Sequence, residues 1–496
     1  MQLSRAVLLL LSGFILSGLR AAVARLLPEP PNRIAVVGAG IGGTSAAYFL
    51  REKFGKDVHI DVFEKEEVGG RVATTEMMGN LYETGAYVIH PLNLHMKSFV
   101  KELGLTARTL PEDNFGIYNG DYLVFHESEW FLINILKKLW HYGLNFFRMN
   151  MWVDNVMDTF TRIYRYQASD YSFSTTEALL HAIGGSDVVG KLNMTIEEDM
   201  QKSGFSQRFI EDIGIPAMRY NYAQGVKING FVGAVSLTGT SSGLWAVEGG
   251  NNQVCRGLLR AADAQLIQGT VTSVQDRPTK SGFTESQYEV TYATDKGTES
   301  KMYDIVVIAT PLNKEIGNID FTGFSPPIET VCRPFQRLVT TIVLGQINAS
   351  FFGFQNTSPF PLSEIFTTDN HNIFFCSLTS LYSSNSSPEA SDLRIWKIFS
   401  VETLTDEELH QLFVSYSDIS VKRWLAYPQY NPPEKMPPIV LHRGIYYLNS
   451  IESAASAMEM SAISAKNVAL LSYHQWYGKE EKINQLDLAE RLKSEL

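Results

Sequence analysis

Three of the 496 residues are cysteine: Cys255, Cys332 and Cys376. So few, at such intervals, exclude a disulfide framework and a cysteine-ligated zinc site, leave room for one bridge at most, and give no reason to expect a metal. Blocks of like charge are missing too, because 42 basic and 53 acidic residues, net -11, are spread along the chain. Such a surface repels nucleic acid, which is therefore not an expected partner. Beyond the first two dozen residues no apolar run reaches the ~20 residues that span a bilayer, so the mature chain is expected to be soluble or peripheral. Internal repeats are absent. What is present is ample apolar material, 45% of the residues, enough for a large core and, at roughly 150 residues per domain, for two or three domains.

The chain begins with Arg5, an uncharged apolar stretch from Ala6 to Leu19, and the small-residue ending Ala22-Val23-Ala24. That order predicts a cleavable secretory signal peptide over residues 1–24, with an uncleaved anchor as the alternative. Four sequons, at Asn193, Asn348, Asn356 and Asn385, fit a glycoprotein passing through the secretory lumen. The final Lys493-Ser494-Glu495-Leu496 is one substitution from a lumenal retention signal and leaves residence open.

Residues 33–52, RIAVVGAGIGGTSAAYFLRE, place a short β-branched run before a glycine turn and a helix-forming segment. This is the context a dinucleotide fingerprint requires: Gly38 for the tight turn, Gly40 for approach to a pyrophosphate, Gly43 for close packing of helix on strand. The N–H groups at the helix start then face the anion. A second strand, VHIDVFE, ends in Glu64, twenty-one residues beyond Gly43, where a carboxylate accepts hydrogen bonds from the ribose hydroxyls. Next comes KEEVGGRVAT, whose Gly69-Gly70 pair and Arg71 bring further amides and a guanidinium to the same pyrophosphate, which extends the signal from nucleotide to FAD. No second G-x-G-x-x-G follows a strand anywhere else, so a reductase fed by a nicotinamide nucleotide is disfavoured and an oxidase favoured.

These elements resemble the flavin amine oxidase superfamily. The resemblance extends to AQLIQGTVTSVQ, the strand with backbone contacts to adenine around Val271, and to YDIVVIATP, whose turn includes Thr310. It also covers residues 444–473, where Glu452 occupies the superfamily's acidic position and Ala454, Ala455, Ser456 and Ala457 allow close approach to a ribityl chain. In the superfamily the segment ETGAYVI runs beside the flavin ring near Gly85. Some members tether the flavin through a cysteine near the last element. Here no cysteine lies beyond Cys376, which implies non-covalent FAD.

Over nearly the whole chain after residue 24, the segments MWVDNV, WLAYP and ASAMEMSA are similar to the prenylcysteine oxidase family. That resemblance implies a lysosome-associated FAD thioether oxidase that acts on farnesylcysteine and geranylgeranylcysteine with oxygen and water, releasing cysteine, a prenyl aldehyde and hydrogen peroxide. Secretion or retention in the endoplasmic reticulum is the alternative location. His90, just after ETGAYVI, is a weak candidate for holding the water. Two other functions stay open: a polyamine or other amine oxidase, and a flavin-binding, lipid-associated protein with little turnover.

The expected fold is α/β, a Rossmann-type FAD-binding domain assembled from residues 33–110, 232–312 and 440–477. An α+β substrate domain is inserted over 111–231 and 313–439, and 478–496 form a tail. Within the first insertion, WFLINILKKLWHYGLNFFRMNM places Ile133, Leu136, Trp140, Leu144, Phe147 and Met151 at three- and four-residue steps, with Lys137, Lys138, His141, Asn145 and Arg148 opposite. The spacing predicts one amphipathic helix whose apolar side faces the core. The other reading is a membrane-surface helix or the wall of an apolar substrate channel, with peripheral membrane or lipoprotein association.

Overall fold

The strand Arg33–Val37 (β1), the helix Ile41–Phe54 (α1) and the strand His59–Glu64 (β2) open the computed structural model, which describes residues 28–111, 114–240, 242–277, 287–355, 360–381 and 393–486. The segment 1–24, Asn356, Asn385 and the last four residues lie outside the described residues.

Side chains alternate across a strand, and in β1 both faces are buried: Ile34 and Val36 enter one core, Ala35 and Val37 another. Burial on both sides explains why β1 is a continuous apolar run. It pairs in parallel with β2 and with Ile305–Ile308. The six-stranded sheet runs Val440–His442, Ile445–Tyr447, Ile305–Ile308, β1, β2, Gln265–Gln268, and its one antiparallel partner is the Val440–His442 edge. Against one face pack α1 and the helix Met458–Tyr477, through residues such as Leu50, Ala462 and Ala469. Against the other lies a sheet built from Thr270–Arg277, Gln287–Thr294, Gly297–Tyr303 and Asp320–Thr322. This is the expected α/β Rossmann-type layering. Ile34 has no solvent exposure, so Ile34→Ala costs ~2–5 kcal/mol.

A seven-stranded sheet forms the second body, in the order Phe413–Pro428, Phe335–Ile347, Arg394–Ser400, Ser377–Leu381, Glu364–Thr367, Phe115–Tyr118, Leu123–His126. One of its faces carries Ile365, Leu378, Trp396 and Ile398 into a core of its own. The other carries Glu364, Thr379 and Lys397, three residues aligned across three adjacent strands. Helices between residues 131 and 237 build a further core around Phe160, Phe209 and Phe231, which Ile463 of the final helix joins. The last segment thus ties both bodies together.

The segment 130–151 departs from its prediction. It forms two helices, Phe131–Tyr142 (α2) and Asn145–Phe160 (α3), separated at Gly143, whose φ of 57° is the left-handed conformation that glycine adopts without strain. The break resets the helical phase. The α3 helix buries Met149, Val153, Met157 and Phe160, while Ile133, Leu136, Trp140, Leu144, Phe147 and Met151, expected to face the core, are exposed. The three cysteines are free thiols; burial pushes Cys255 up to about 12, which makes it inert.

Candidate active site

At the end of β1 the chain turns through Gly38, with φ at 107°, its N–H donating to the Phe63 carbonyl at 2.8 Å. A Cβ on Gly43 would stand 1.8 Å from the Gly38 carbonyl oxygen, so the helix approaches the turn as closely as glycine permits. No side chain caps α1 and no acid lies in its first turn, so its leading N–H groups have no helical acceptor and present positive potential. Gly40 forms a parallel bridge with Gly69, and the Gly69 N–H donates to Ala39 at 3.0 Å. The second glycine pair, Gly70 included, therefore lies against the first turn, as a two-sided pyrophosphate cradle demands.

Glu64, buried at the end of β2, accepts from the Ala39 N–H through Oε2 at 2.8 Å and from the Glu66 N–H through Oε1 at 2.9 Å. Gln268 lies beside it in the sheet, the Gly269 N–H donates to the Glu64 carbonyl, and Val271 follows, buried. Half-buried Thr310 follows Ala309, whose N–H donates to Val37 at 2.8 Å. All four predicted nucleotide elements converge at the carboxyl ends of the parallel strands.

Arg71 and Glu452, 381 residues apart, form a salt bridge. Burial works against the Arg71 charge, but Glu452 outweighs it and raises the guanidinium's pKa. Arg71 also donates to the Ala426 carbonyl at 3.1 Å, and Asn449 donates to Glu452 at 2.9 Å. Its side chain keeps 30% exposure toward the cavity, which leaves donors for an anion. Next to this pair begins the helix Met458–Tyr477, whose N-terminus also lacks a side-chain cap. Ile41 at the uncapped start of α1, Arg71, and Ser456 and Ala457 before the last helix line one cavity, with the glycine cradle behind Ile41, while Ala454 and Ala455 are packed in the core. The arrangement fits a flavin dinucleotide, with amides and the guanidinium for the pyrophosphate and Ser456 and Ala457 for the ribityl chain.

That cavity, of about 720 Å³, runs from Ile41, Arg71 and Gly85 to α2 and α3. Gly85 is buried on the backbone of Arg71, whose carbonyl oxygen a Cβ would meet at 1.9 Å. His90 lines the cavity, but its Nδ1 accepts from the Leu92 N–H at 3.1 Å within its own turn, and burial lowers its pKa. One ring nitrogen is thus committed to the loop.

Sequence reasoning missed the polar row of the large sheet. Lys397, 6% exposed, donates through Nζ to the Gly85 carbonyl at 3.2 Å and lies 4.6 Å from the centroid of Phe399. Burial pushes its ammonium pKa below the ordinary lysine value, with Glu83 opposing. Two strands away, the Glu364 carboxyl accepts from the Tyr220 hydroxyl at 3.4 Å. Glu364, Thr379 and Lys397 all line the cavity. A single lysine inside the apolar strand RIWKIFS is the one signal that pointed to this row.

Of the two sequons within the described residues, Asn193 is exposed at the end of a short 3-10 turn, and half-buried Asn348 donates its Nδ2 to the Gln411 carbonyl at 3.0 Å. A glycan on Asn348 displaces that bond.

The fold is a Rossmann-type α/β architecture with a large cavity at the start of its first helix. A family profile described as prenylcysteine lyase matches residues 125–485, and one described as an NAD(P)-binding Rossmann-like domain matches residues 36–103. Prenylcysteine oxidase 1 of Bos taurus is 53% identical over 474 residues, 94% of this chain and 93% of that protein. Prenylcysteine oxidase 1-like of Homo sapiens is 42% identical over 488 residues, 97% and 98% of the two chains. Cyclohexylamine oxidase from Brevibacterium oxydans matches with a TM-score of 0.57 at 15% identity, over 90% of this chain and 99% of the other, a likeness of fold alone. The chain belongs to the prenylcysteine lyase family.

Proposed function

We propose that this enzyme binds FAD without a covalent tether and oxidises the thioether of S-prenylated cysteines. One thioether, one oxygen and one water give cysteine, a prenyl aldehyde and hydrogen peroxide. A flavin held by these residues would supply hydride acceptance and re-oxidation by oxygen.

The observation that carries this reading is the polarity of the cavity beside Gly85. Its apolar end is built from Ile135, Leu139, Phe146, Phe147, Met149 and Phe160, and its polar end from Glu364, Thr379 and Lys397 beside Gly85. In a prenylcysteine the reacting allylic carbon is separated from Cα by only sulfur and one methylene. The charged head must therefore lie next to the reaction centre, with the tail running away from it. Lys397 is placed to donate to the head's carboxylate, and Glu364 to accept from its ammonium, across a dry sheet face where such bonds are strong. Ser377, on the same sheet face as Thr379 and Lys397, provides a hydroxyl to hold the water that adds to the allylic carbon. Sulfur and the double bond spread the developing positive charge, so positioning and water placement do most of the work.

A diamine suits this cavity poorly. Two carboxyl groups, Glu364 and Glu459, line it against Arg71, Lys138 and Lys397, and Glu459 is occupied by the His95 and Met96 N–H groups and the Tyr164 hydroxyl. The leader-like segment and the sequons support a lumenal residence, which we assign to the lysosome. The test is aldehyde and peroxide release from farnesylcysteine compared with analogues lacking either the amino or the carboxyl group. Each loss should lower kcat/KM by roughly tenfold or more, the value of a charged hydrogen bond. Equal turnover of all three would overturn the assignment of Lys397 and Glu364.

A further inference from the structure

Among the described residues, ten of the 22 exposed large apolar side chains fall between Trp130 and Met151. Trp140 is 88% exposed, Phe131 75% and Leu132 72%. Isolated exposed apolar residues are ordinary, but a contiguous aromatic cluster of this size on a soluble surface marks an interaction site. Two further observations say what covers it. First, the cluster is continuous with the cavity: Leu139 and Phe147 are both exposed on it and line the cavity, while Leu136, Trp140 and Leu144 flank them outside. Second, no acidic residue occurs from Trp130 to Val153, whereas Lys137 and Arg148 do, with Lys138 paired to Glu127 at 2.7 Å, in a chain of net charge -11. The surface around the cavity mouth is thus apolar with a basic rim, the composition of an interfacial helix.

We propose that α2 and the start of α3 dock on an anionic phospholipid bilayer, and that the apolar end of the cavity opens into the lipid. The inference rests on the prenylcysteine reading for its purpose: a prenylcysteine held in the bilayer by its tail enters head first past Leu139 and Phe147, the head reaching Lys397 while the tail trails back into the acyl chains without crossing water. Docking itself requires no turnover, so it is tested separately. Gly143 separates the two helices and lets both lie along one surface, with Trp130 and Trp140 at headgroup depth.

The experiment is flotation of the full-length holoenzyme with vesicles of phosphatidylcholine and phosphatidylserine, and with phosphatidylcholine alone, for wild type, Trp140→Glu, Phe131→Glu/Leu136→Glu, and Val414→Glu. Val414 is an exposed apolar residue of the large sheet's edge strand. Wild type and Val414→Glu should float with the anionic vesicles and less with the neutral ones. The patch variants should lose roughly tenfold or more in partitioning, because a charge replaces a buried apolar anchor, while retaining flavin colour and wild-type peroxide release from a short-chain, fully water-soluble prenylcysteine. Wild type failing to float, or all four proteins floating alike, overturns the proposal. So does a concentration-dependent dimer that the patch variants abolish in the absence of vesicle binding, which assigns the surface to a second copy of the chain. Vesicle binding without thioether oxidation would leave docking standing and remove the proposed reaction.

Discussion

The Gly43→Ala variant probes the cofactor cradle through a single methyl group. Its Cβ would lie 1.8 Å from the Gly38 carbonyl oxygen, where ordinary contact begins at 3.4 Å, so the start of α1 must retreat by about 1.6 Å in a close-packed interior. Retreat is resisted on the other side, because a Cβ on neighbouring Gly42 already would come within 2.8 Å of Leu448 and 3.6 Å of Ser461. The clash is with backbone and not with a flexible side-chain tip, so the cost reaches the upper part of the ~1–3 kcal/mol range for overpacking. The same displacement pulls the leading amides from the pyrophosphate, and one lost hydrogen bond to a charged group, ~1.5–3 kcal/mol, weakens flavin binding at least about tenfold. The assay is flavin per polypeptide, from the ratio of visible to ultraviolet absorption after extensive dialysis, together with Tm in the presence and absence of added FAD. Gly190→Ala is the control: nothing lies within 4 Å of its Cβ and its φ is -56°. That variant should keep its flavin and hold or gain stability by ~0.4–1 kcal/mol. A Gly43→Ala protein with full flavin and unchanged Tm would refute the cradle.

Lys397→Met should keep the flavin but lower kcat/KM for farnesylcysteine by roughly ten- to a hundredfold, chiefly through KM, since one charged hydrogen bond to the head is lost; unchanged steady-state kinetics contradict its role. His474, 2% exposed and bonded to the Ser172 hydroxyl at 2.9 Å, is held by burial at about 4, against an ordinary 6.5. The unfolded chain therefore takes up a proton below pH 6.5 that the folded one refuses until about pH 4, and stability falls by up to roughly 3 kcal/mol as pH drops through that window. Glu459 acts in the opposite sense: burial lifts it to about 7, so its contribution is full below pH 4.5 and is lost as pH rises through about 7. The difference in Tm between wild type and His474→Gln across this range isolates the histidine, and a difference independent of pH sinks the prediction.

The glycine turn was legible because its demands fall on the backbone. Gly38 and Gly43 answer to a left-handed turn and to a contact no side chain fits, and such needs leave fixed spacings in sequence. Glu64 was readable for the same reason, closing the strand next to the turn. The pairing of Arg71 with Glu452 joins two motifs that sequence treats as independent. The row Glu364, Thr379 and Lys397 was hidden for a different reason: it exists only once three strands adopt their register, and none of the three belongs to a motif. The helices α2 and α3 show the limit of periodicity. Three- and four-residue steps locate an apolar face, but they do not say what covers it, and here the protein's own core does not.

The central claim is that a bound flavin takes hydride from a thioether carbon. Its most direct test is to mix the purified yellow protein with farnesylcysteine in the absence of oxygen, record the visible flavin absorption, and then admit oxygen. Bleaching on mixing, followed by recovery of colour with stoichiometric aldehyde, cysteine and hydrogen peroxide, is the predicted result. A flavin that stays yellow with farnesylcysteine yet bleaches with spermine contradicts the account and assigns the cavity to amines.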